Sequence, residues 1–130
     1  IFWFITGNSD MHLKNFSLIE TAECSGKYVL SPAYDLLPVN VIMPEDVEQT
    51  ALALNGKKQN IRRRDFLVFA EGCGITRQSA EKMMRKLLSM KPNFLAMCGE
   101  SLLPEDMKSR FAGLIGERCN VLEQGNPTIG

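Results

Sequence analysis

Three polar side chains near the start of the chain have the types and the spacing that phosphoryl transfer requires. Asp10 and Asn15 stand five positions apart, and Asp35 follows twenty positions after Asn15. In a phosphoryl-transfer site one aspartate accepts the proton of the attacking hydroxyl, while an asparagine and a second aspartate bind Mg²⁺. The spacing therefore predicts that Asp10 is the catalytic base and that Asn15 and Asp35 are metal ligands.

These residue types suit a reaction in which the protein mainly positions groups and neutralises charge. Mg²⁺ prefers oxygen ligands at octahedral angles and keeps several waters, so one carboxylate and one amide oxygen suffice from the protein. The alternative is an ordinary turn, because Asp and Asn side chains often bond the local backbone. His12, the only histidine, is likewise more often structural than catalytic. The catalytic interpretation is favoured because one short polar loop contains four such side chains: Asp10, His12, Lys14 and Asn15.

Two longer segments around these residues resemble a known family. Residues 7–17, Gly-Asn-Ser-Asp-Met-His-Leu-Lys-Asn-Phe-Ser, and residues 30–35, Leu-Ser-Pro-Ala-Tyr-Asp, are similar to the catalytic loop and metal-binding turn of HipA-type serine/threonine kinases. These kinases are the toxin half of bacterial toxin–antitoxin pairs. The similarity continues through residues 52–58 and 63–67, so it covers nearly the whole chain.

The resemblance implies a fold and a set of roles. The fold would be mainly α (α+β), a kinase-like C-terminal lobe that is helical with a small β-hairpin next to the catalytic loop. Asp10 would be the catalytic aspartate, with His12 and Lys14 beside the transferring phosphate, where a positive group offsets developing charge. Asn15 and Asp35 would bind Mg²⁺ and, through it, ATP.

Two parts of a kinase are missing from this chain. A glycine-rich loop over the phosphates and a strand lysine precede the catalytic loop in kinases, whereas here that loop begins at residue 7. The start without Met, inside an apolar run, also favours a truncated piece. We therefore expect residues 1–123 to form a HipA-like C-terminal lobe without its N-lobe, inactive alone, and residues 124–130 to form a flexible tail.

Two hypotheses about function follow from the resemblance. In the first, the chain is the catalytic lobe of an ATP- and Mg²⁺-dependent kinase that phosphorylates a protein serine, as family members do on an aminoacyl-tRNA synthetase. In the second, it is a non-catalytic interaction module that docks a HipB-like antitoxin in a transcriptional repressor complex. DNA would then be bound only indirectly, through the antitoxin. The two hypotheses are not exclusive.

Composition agrees with one globular domain. The chain has 130 residues, 45% of them hydrophobic, and 15 basic side chains balance 15 acidic ones. The zero net charge argues against general attraction to nucleic acid or membranes. The apolar run of residues 1–5 is too short to span a bilayer and lacks the basic flank of a signal peptide, which predicts a cytoplasmic protein.

The four cysteines predict no metal site. They are too widely spaced for a zinc cluster, and no export signal supports disulfides. Cys73, Cys98 and Cys119 lie on or beside apolar helical faces, so we expect them to be buried.

The elements around the polar loop should bring the proposed metal ligands together. The loop is expected to leave a helix and enter a strand, followed by a hairpin of residues 16–21 and 27–31. Asn15 and Asp35 stand at the outer ends of this hairpin and should therefore lie at the same end of the strand pair. Residues 38–49 read as a loop with a short helical start at Pro44.

From Arg62 onward the apolar spacing becomes helical. Thr76 is a plausible N-cap, while Pro92 and Pro104 should each open a helix, the last with acidic residues in its first turn. The positions expected to face inward are Phe66, Leu67, Ala70, Ala80, Met83, Met84, Leu87, Leu88, Met107, Phe111, Leu114, Ile115, Cys119 and Leu122.

One local cluster of basic residues needs an explanation: Lys57, Lys58, Arg62, Arg63 and Arg64. It could contact a phosphate backbone, a tRNA-bound substrate or DNA beside a partner. We favour a solvated face at the start of a helix, where arginines could also pair with Asp65 or Glu71.

Overall fold

The computed structural model describes residues 1–124, which form six α-helices and one two-stranded antiparallel sheet. In chain order the elements are α1 (Phe2–Thr6), a 3₁₀ turn (Leu13–Asn15), β1 (Leu18–Glu20), β2 (Tyr28–Leu30), α2 (Val39–Ile42), α3 (Arg63–Gly72), α4 (Arg77–Ser89), α5 (Lys91–Glu100) and α6 (Glu105–Glu123). The predicted mainly helical α+β fold with a small hairpin is confirmed. Of the predicted tail, only Gln124 is among the described residues.

The hairpin forms where the sequence predicted it, with shorter strands. Leu18 pairs with Leu30 and Glu20 with Tyr28 in antiparallel register, and the Ser31 N–H extends the ladder by donating to the Ser17 carbonyl at 2.8 Å. The residues of both strands are largely exposed. The pairing nevertheless places residues 15 and 35 beyond the same end of the sheet.

The helix ends follow the predicted signals. Thr76 caps α4, since its hydroxyl accepts the Ser79 N–H at 3.2 Å. Pro92 occupies the first turn of α5. Pro104 precedes α6, whose first turn carries Glu105 and Asp106 as expected. Acidic side chains there are favoured by the positive end of the helix dipole.

The hydrophobic core lies between α1, α3, α4 and α6. Its buried members are Phe4, Ile5, Leu54, Ile61, Phe66, Leu67, Ala70, Ala80, Met84, Ile115, Cys119 and Leu122. Phe4 and Phe66 meet edge to face with ring centroids 5.2 Å apart. The short α1 is therefore anchored in the core, and this fixes the point at which the polar loop begins.

Some burial predictions were wrong. Cys98 and Cys119 are buried as expected, but Cys73 is exposed, because α3 ends at Gly72 and the chain turns outward through Gly74. Met83 is 55% exposed, because it lies at the edge of the apolar stripe of α4 rather than at its centre.

The basic cluster is mostly engaged within the fold, so neither interpretation of it holds for every member. Lys57 pairs with Asp65 at 3.0 Å and Lys58 with Glu48 at 3.1 Å. Arg63 is only 6% exposed and donates to the Leu122 carbonyl at 3.0 Å. Arg62, Arg64 and the paired Lys57 are exposed and form the solvated face that we expected.

The predicted helical start at Pro44 was also wrong. The helix in this segment is α2, and Pro44 lies in the turn that follows it. Four helical residues are too few to show a period in the sequence. Tertiary bonds hold α2 instead, because the Asn40 N–H donates to the Gly7 carbonyl at 3.0 Å and Arg110 donates to the Val41 carbonyl at 3.3 Å.

Within residues 1–124, no helix combines the length and the apolar character needed to cross a membrane.

Candidate active site

The polar loop begins at a glycine that no other residue could replace without strain. Gly7 ends α1 in the left-handed conformation, with φ of 70°, and a Cβ at this position would collide with the side chain of Leu114. The Asn8 N–H donates to the Trp3 carbonyl at 2.9 Å and closes the helix end. The chain therefore turns sharply, and residues 8–15 leave the core as a loop.

Side chains of this loop point alternately to two cavities. Met11 and Leu13 line an apolar cavity of about 330 Å³ against α3 and α4. Asp10 and His12 line a second cavity of about 370 Å³ on the other side. Met11 is 6% exposed and holds the loop against the core, while Asp10 and His12 face the second cavity.

Asp10 and Asn15, five positions apart in the sequence, are joined directly. Asn15 donates from Nδ2 to the backbone carbonyl of Asp10 at 2.8 Å, across the 3₁₀ turn. Asn15 is 8% exposed, and this bond leaves its Oδ1 free to act as an acceptor. The carboxylate of Asp10 stays accessible, and its Oδ1 lies 3.2 Å from Nε2 of His12.

Asn8 links the loop to the turn that carries Asp35. The Oδ1 of Asn8 accepts the Asp10 N–H at 3.2 Å, while its Nδ2 donates to the Asp35 carbonyl at 3.2 Å. Asn8 is 3% exposed. Asn8 stands inside the motif, but its spacing predicted no role for it. A side-chain amide that bonds two backbone groups cannot be recognised from spacing alone.

Asp35 and Lys14 are placed less tightly than Asp10 and Asn15. Asp35 is exposed and has φ of 54°, a left-handed conformation that side-chain-bearing residues rarely adopt. Among the described residues, the structure shows no hydrogen bond between the side chains of Asp35 and Asn15. The side chain of Lys14 is exposed, and its carbonyl accepts the Tyr34 hydroxyl at 3.4 Å.

The donor set fits Mg²⁺ that is shared with a phosphate. In the part of the chain that the structure describes, no group of three His, Cys, Asp or Glu side chains could hold a metal by itself. The free Oδ1 of Asn15 and the exposed carboxylate of Asp35 are hard oxygen donors. Mg²⁺ commonly takes one or two such protein ligands and completes its shell with waters and substrate phosphates.

The cavity beside Asp10 is mixed in character. Its lining includes apolar side chains, among them Leu37 and Ile42, and the acidic residues Asp46 and Glu48. Ser9 links Asp46 to the loop, donating to its Oδ2 at 2.6 Å. Its volume is in the range of small-molecule pockets, so the cavity could admit a side chain that carries a phosphoryl acceptor.

Two comparisons with known proteins cover most of the chain. Residues 1–93 match the family model described as the HipA-like C-terminal domain. The fold is similar to that of HipA from Shewanella oneidensis MR-1, solved with HipB and its operator DNA, with a TM-score of 0.71 and 22% sequence identity. That match covers 92% of this chain but only 29% of the Shewanella chain. No curated protein matches the chain.

Proposed function

This chain belongs to the HipA-like C-terminal domain family, and we propose that it forms the catalytic lobe of an ATP- and Mg²⁺-dependent serine/threonine protein kinase of a toxin–antitoxin system. The observation that carries the proposal is a chain of three hydrogen bonds. Asn15 bonds Asp10, Asp10 bonds Asn8, and Asn8 bonds Asp35. The base and both proposed metal ligands thus belong to one connected unit.

In this proposal Asp10 acts as the general base. Its carboxylate would accept the proton of a substrate serine as the serine oxygen bonds to the γ-phosphorus and the bond from that phosphorus to the β-phosphate oxygen breaks. The exposed position of Asp10 supports this role, since a protein hydroxyl must reach it from outside. His12, 3.2 Å from Asp10, would hold the carboxylate in place or place positive charge near the phosphate.

Asn15 and Asp35 would hold the metal through Oδ1 and the carboxylate. When bound, Mg²⁺ neutralises charge on the phosphates of ATP and orients them. Lys14 lies at the same end of the hairpin, and its exposed ammonium group would be free to approach a phosphate oxygen. Phosphate binding by this lobe alone should be weak. In kinases a glycine-rich loop and a strand lysine of the N-lobe supply the other phosphate contacts.

The substrate and partners are proposed from the family. We propose a serine of a protein, such as an aminoacyl-tRNA synthetase, as the acceptor, and a HipB-like antitoxin as a partner. DNA contact would be indirect. Two features support this last point: the net charge is zero, and Lys57, Lys58 and Arg63 of the basic cluster are engaged in contacts within the fold.

The test is phosphate transfer from labelled ATP with Mg²⁺. The chain alone should be compared with the protein encoded by its complete gene, since the chain spans 29% of the Shewanella HipA. We expect transfer by the complete protein, and its loss in Asp35→Ala. If the complete protein transfers no phosphate but still binds an antitoxin, the alternative of a non-catalytic docking module would replace this proposal.

A further inference from the structure

Asn8 contacts both halves of the candidate site while contributing nothing to its open face. It is 3% exposed, so it cannot itself meet a substrate or a metal. Its amide oxygen is bonded to the N–H of Asp10 and its amide nitrogen to the carbonyl of Asp35. We infer that Asn8 is a positioning residue that sets Asp35 relative to Asp10. This inference rests on the proposed function and says what controls the geometry of the same site.

The geometry requires an amide at this position. The bond to Asp10 needs an acceptor and spans two residues, as in an Asx turn. The bond to Asp35 needs a donor and spans 27 residues. Asn offers the acceptor and the donor on two separate atoms of a short side chain, whereas Asp lacks the donor and the single hydroxyl of Ser cannot reach both partners.

The contact with Asp35 matters because of the conformation of that residue. Asp35 has φ of 54°, and for a residue with a Cβ this conformation persists only when its surroundings hold it. The bond from Asn8 fixes the carbonyl of Asp35 itself. Without it, the peptide after Asp35 is free to rotate, the backbone can return to an extended conformation, and the carboxylate no longer keeps its place relative to Asp10.

The neighbouring residue provides a matched control. Ser9 is 5% exposed, is adjacent in the same loop and also donates a long-range hydrogen bond, but to Asp46. Ser9→Ala removes a loop contact of similar burial without touching the Asp35 turn. Any effect that comes merely from loosening the loop should appear in both variants.

The decisive variant is Asn8→Asp, which keeps the acceptor for Asp10 and loses the donor to Asp35. If this variant does not fold, Asn8→Ser serves, because its hydroxyl is too short to reach Asp35. The first measurement is made by NMR on the metal-free chain. A strong cross-peak between the amide and α protons of one residue, with the coupling between them, reports a positive φ at Asp35. The second is titration with Mn²⁺ alone, followed as line broadening at Asn15 and Asp35.

We expect Asp35 to leave the left-handed region in Asn8→Asp and to stay there in Ser9→Ala. The apparent affinity for Mn²⁺ should fall roughly tenfold in Asn8→Asp only, as is common when a group behind a metal ligand is removed. An unchanged Asp35 conformation in Asn8→Asp overturns the inference, and so does a released Asp35 with unchanged Mn²⁺ affinity. If Asp35 is released but the unmodified chain shows no Mn²⁺ effect, Asn8 still positions Asp35 and the proposed metal site fails.

Discussion

The side chain of Asn15 is bonded to the main chain of Asp10, with 2.8 Å between Nδ2 and the carbonyl oxygen. This bond gives the five-residue spacing a structural purpose besides the proposed chemical one, because it closes the loop that carries the Asp10 carboxylate. It also orients the amide of Asn15. Because Nδ2 donates to Asp10, Oδ1 stays available as an acceptor for the proposed cation. The turn-forming and catalytic interpretations of the motif are therefore compatible.

Replacing the proposed base tests the reaction directly. Asp10→Asn keeps the backbone carbonyl that Asn15 binds, so we expect an unchanged fold. Phosphate transfer by the complete protein should fall at least about 100-fold, the usual contribution of a general base. The measurement is transfer from labelled ATP, with the melting temperature as the test of folding. Asp106→Asn, an exposed acid on α6 paired with Arg110, is the control, and activity retained in Asp10→Asn would remove Asp10 from the mechanism.

The left-handed conformation of Asp35 predicts a conflict between stability and metal binding. Asp35→Gly keeps the carbonyl that accepts from Asn8 and removes the Cβ that disfavours φ of 54°. We expect the free energy of unfolding to rise by about 1 kcal/mol, while Mn²⁺ no longer broadens the Asn15 signals. Urea unfolding and the NMR titration measure the two effects.

Cys24→Gly is the matched control for this experiment. Cys24 also has φ of 54° but lies in the hairpin turn, at the opposite end from the site. It should gain similar stability and leave Mn²⁺ binding unchanged. A loss of stability in Asp35→Gly would mean that its side chain makes a structural contribution that outweighs the backbone strain.

The residues of the candidate site could be proposed from the sequence, but the contacts that hold them in place could not. Asp10, Asn15 and Asp35 were proposed from residue type and spacing, because metal-assisted chemistry restricts both, and hydrogen bonds through Asn8 connect them in the fold. The hairpin followed from two short apolar segments around a polar turn. Asn8 was missed because its importance comes from a partner 27 residues away, and no local pattern records such a contact.

In the helical part of the chain, too, the elements could be predicted from the sequence, whereas the tertiary contacts could not. The stripes of α3, α4 and α6 were visible because a core-facing helix repeats its apolar residues, and Thr76 and the prolines marked the ends. The structural role of Arg63 was not visible, since a buried arginine looks like an exposed one in the sequence. The helix α2 was missed because two tertiary hydrogen bonds stabilise it rather than its own composition: Arg110 donates to the Val41 carbonyl, and the Gly7 carbonyl accepts the Asn40 N–H.

The stability of the fold should depend on pH through the carboxyl group of Asp65. This carboxylate is 1% exposed, and burial alone would raise its pKa. Bonds from the Arg62 N–H, Asn55 and Lys57 outweigh burial and hold the pKa of Asp65 below its usual value. A carboxyl with a lowered pKa in the folded state contributes stability above the pKa of the unfolded chain, and this contribution is lost as the pH falls through the folded value.

We therefore expect the free energy of unfolding to fall as the pH drops below about 5. Asp65→Asn should destabilise the chain at pH 7 by roughly 2 kcal/mol, because it leaves Lys57 without its partner, and should flatten the acid dependence. Urea unfolding between neutral and acid pH measures both. Glu48→Gln, which removes an exposed ion pair with Lys58, should change little. An Asp65→Asn curve parallel to that of the unmodified chain would contradict this assignment.

Two buried arginines in the helical core should respond oppositely to the same substitution. Arg118 and Arg63 are each 6% exposed. Within residues 1–124, Nε and Nη1 of Arg118 have no hydrogen-bond partner, and its guanidinium lies 4.7 Å from the ring centroid of Phe4. Burial lowers the pKa of Arg118, although the charge of Glu117 acts in the other direction. Arg63, in contrast, donates to the Leu122 carbonyl.

Methionine matches the length of the arginine stem without its charge, and replacing an incompletely paired buried charge by an apolar side chain is often stabilising. Arg118→Met should therefore raise the free energy of unfolding by about 1 kcal/mol. Arg63→Met should lower it by a similar amount, because the Leu122 carbonyl would be left buried without a donor. Urea unfolding of the two variants and the unmodified chain at pH 7 measures both changes. Equal destabilisation would show that Arg118 has a hydrogen-bond partner, such as a buried water, and that its charge is part of the core.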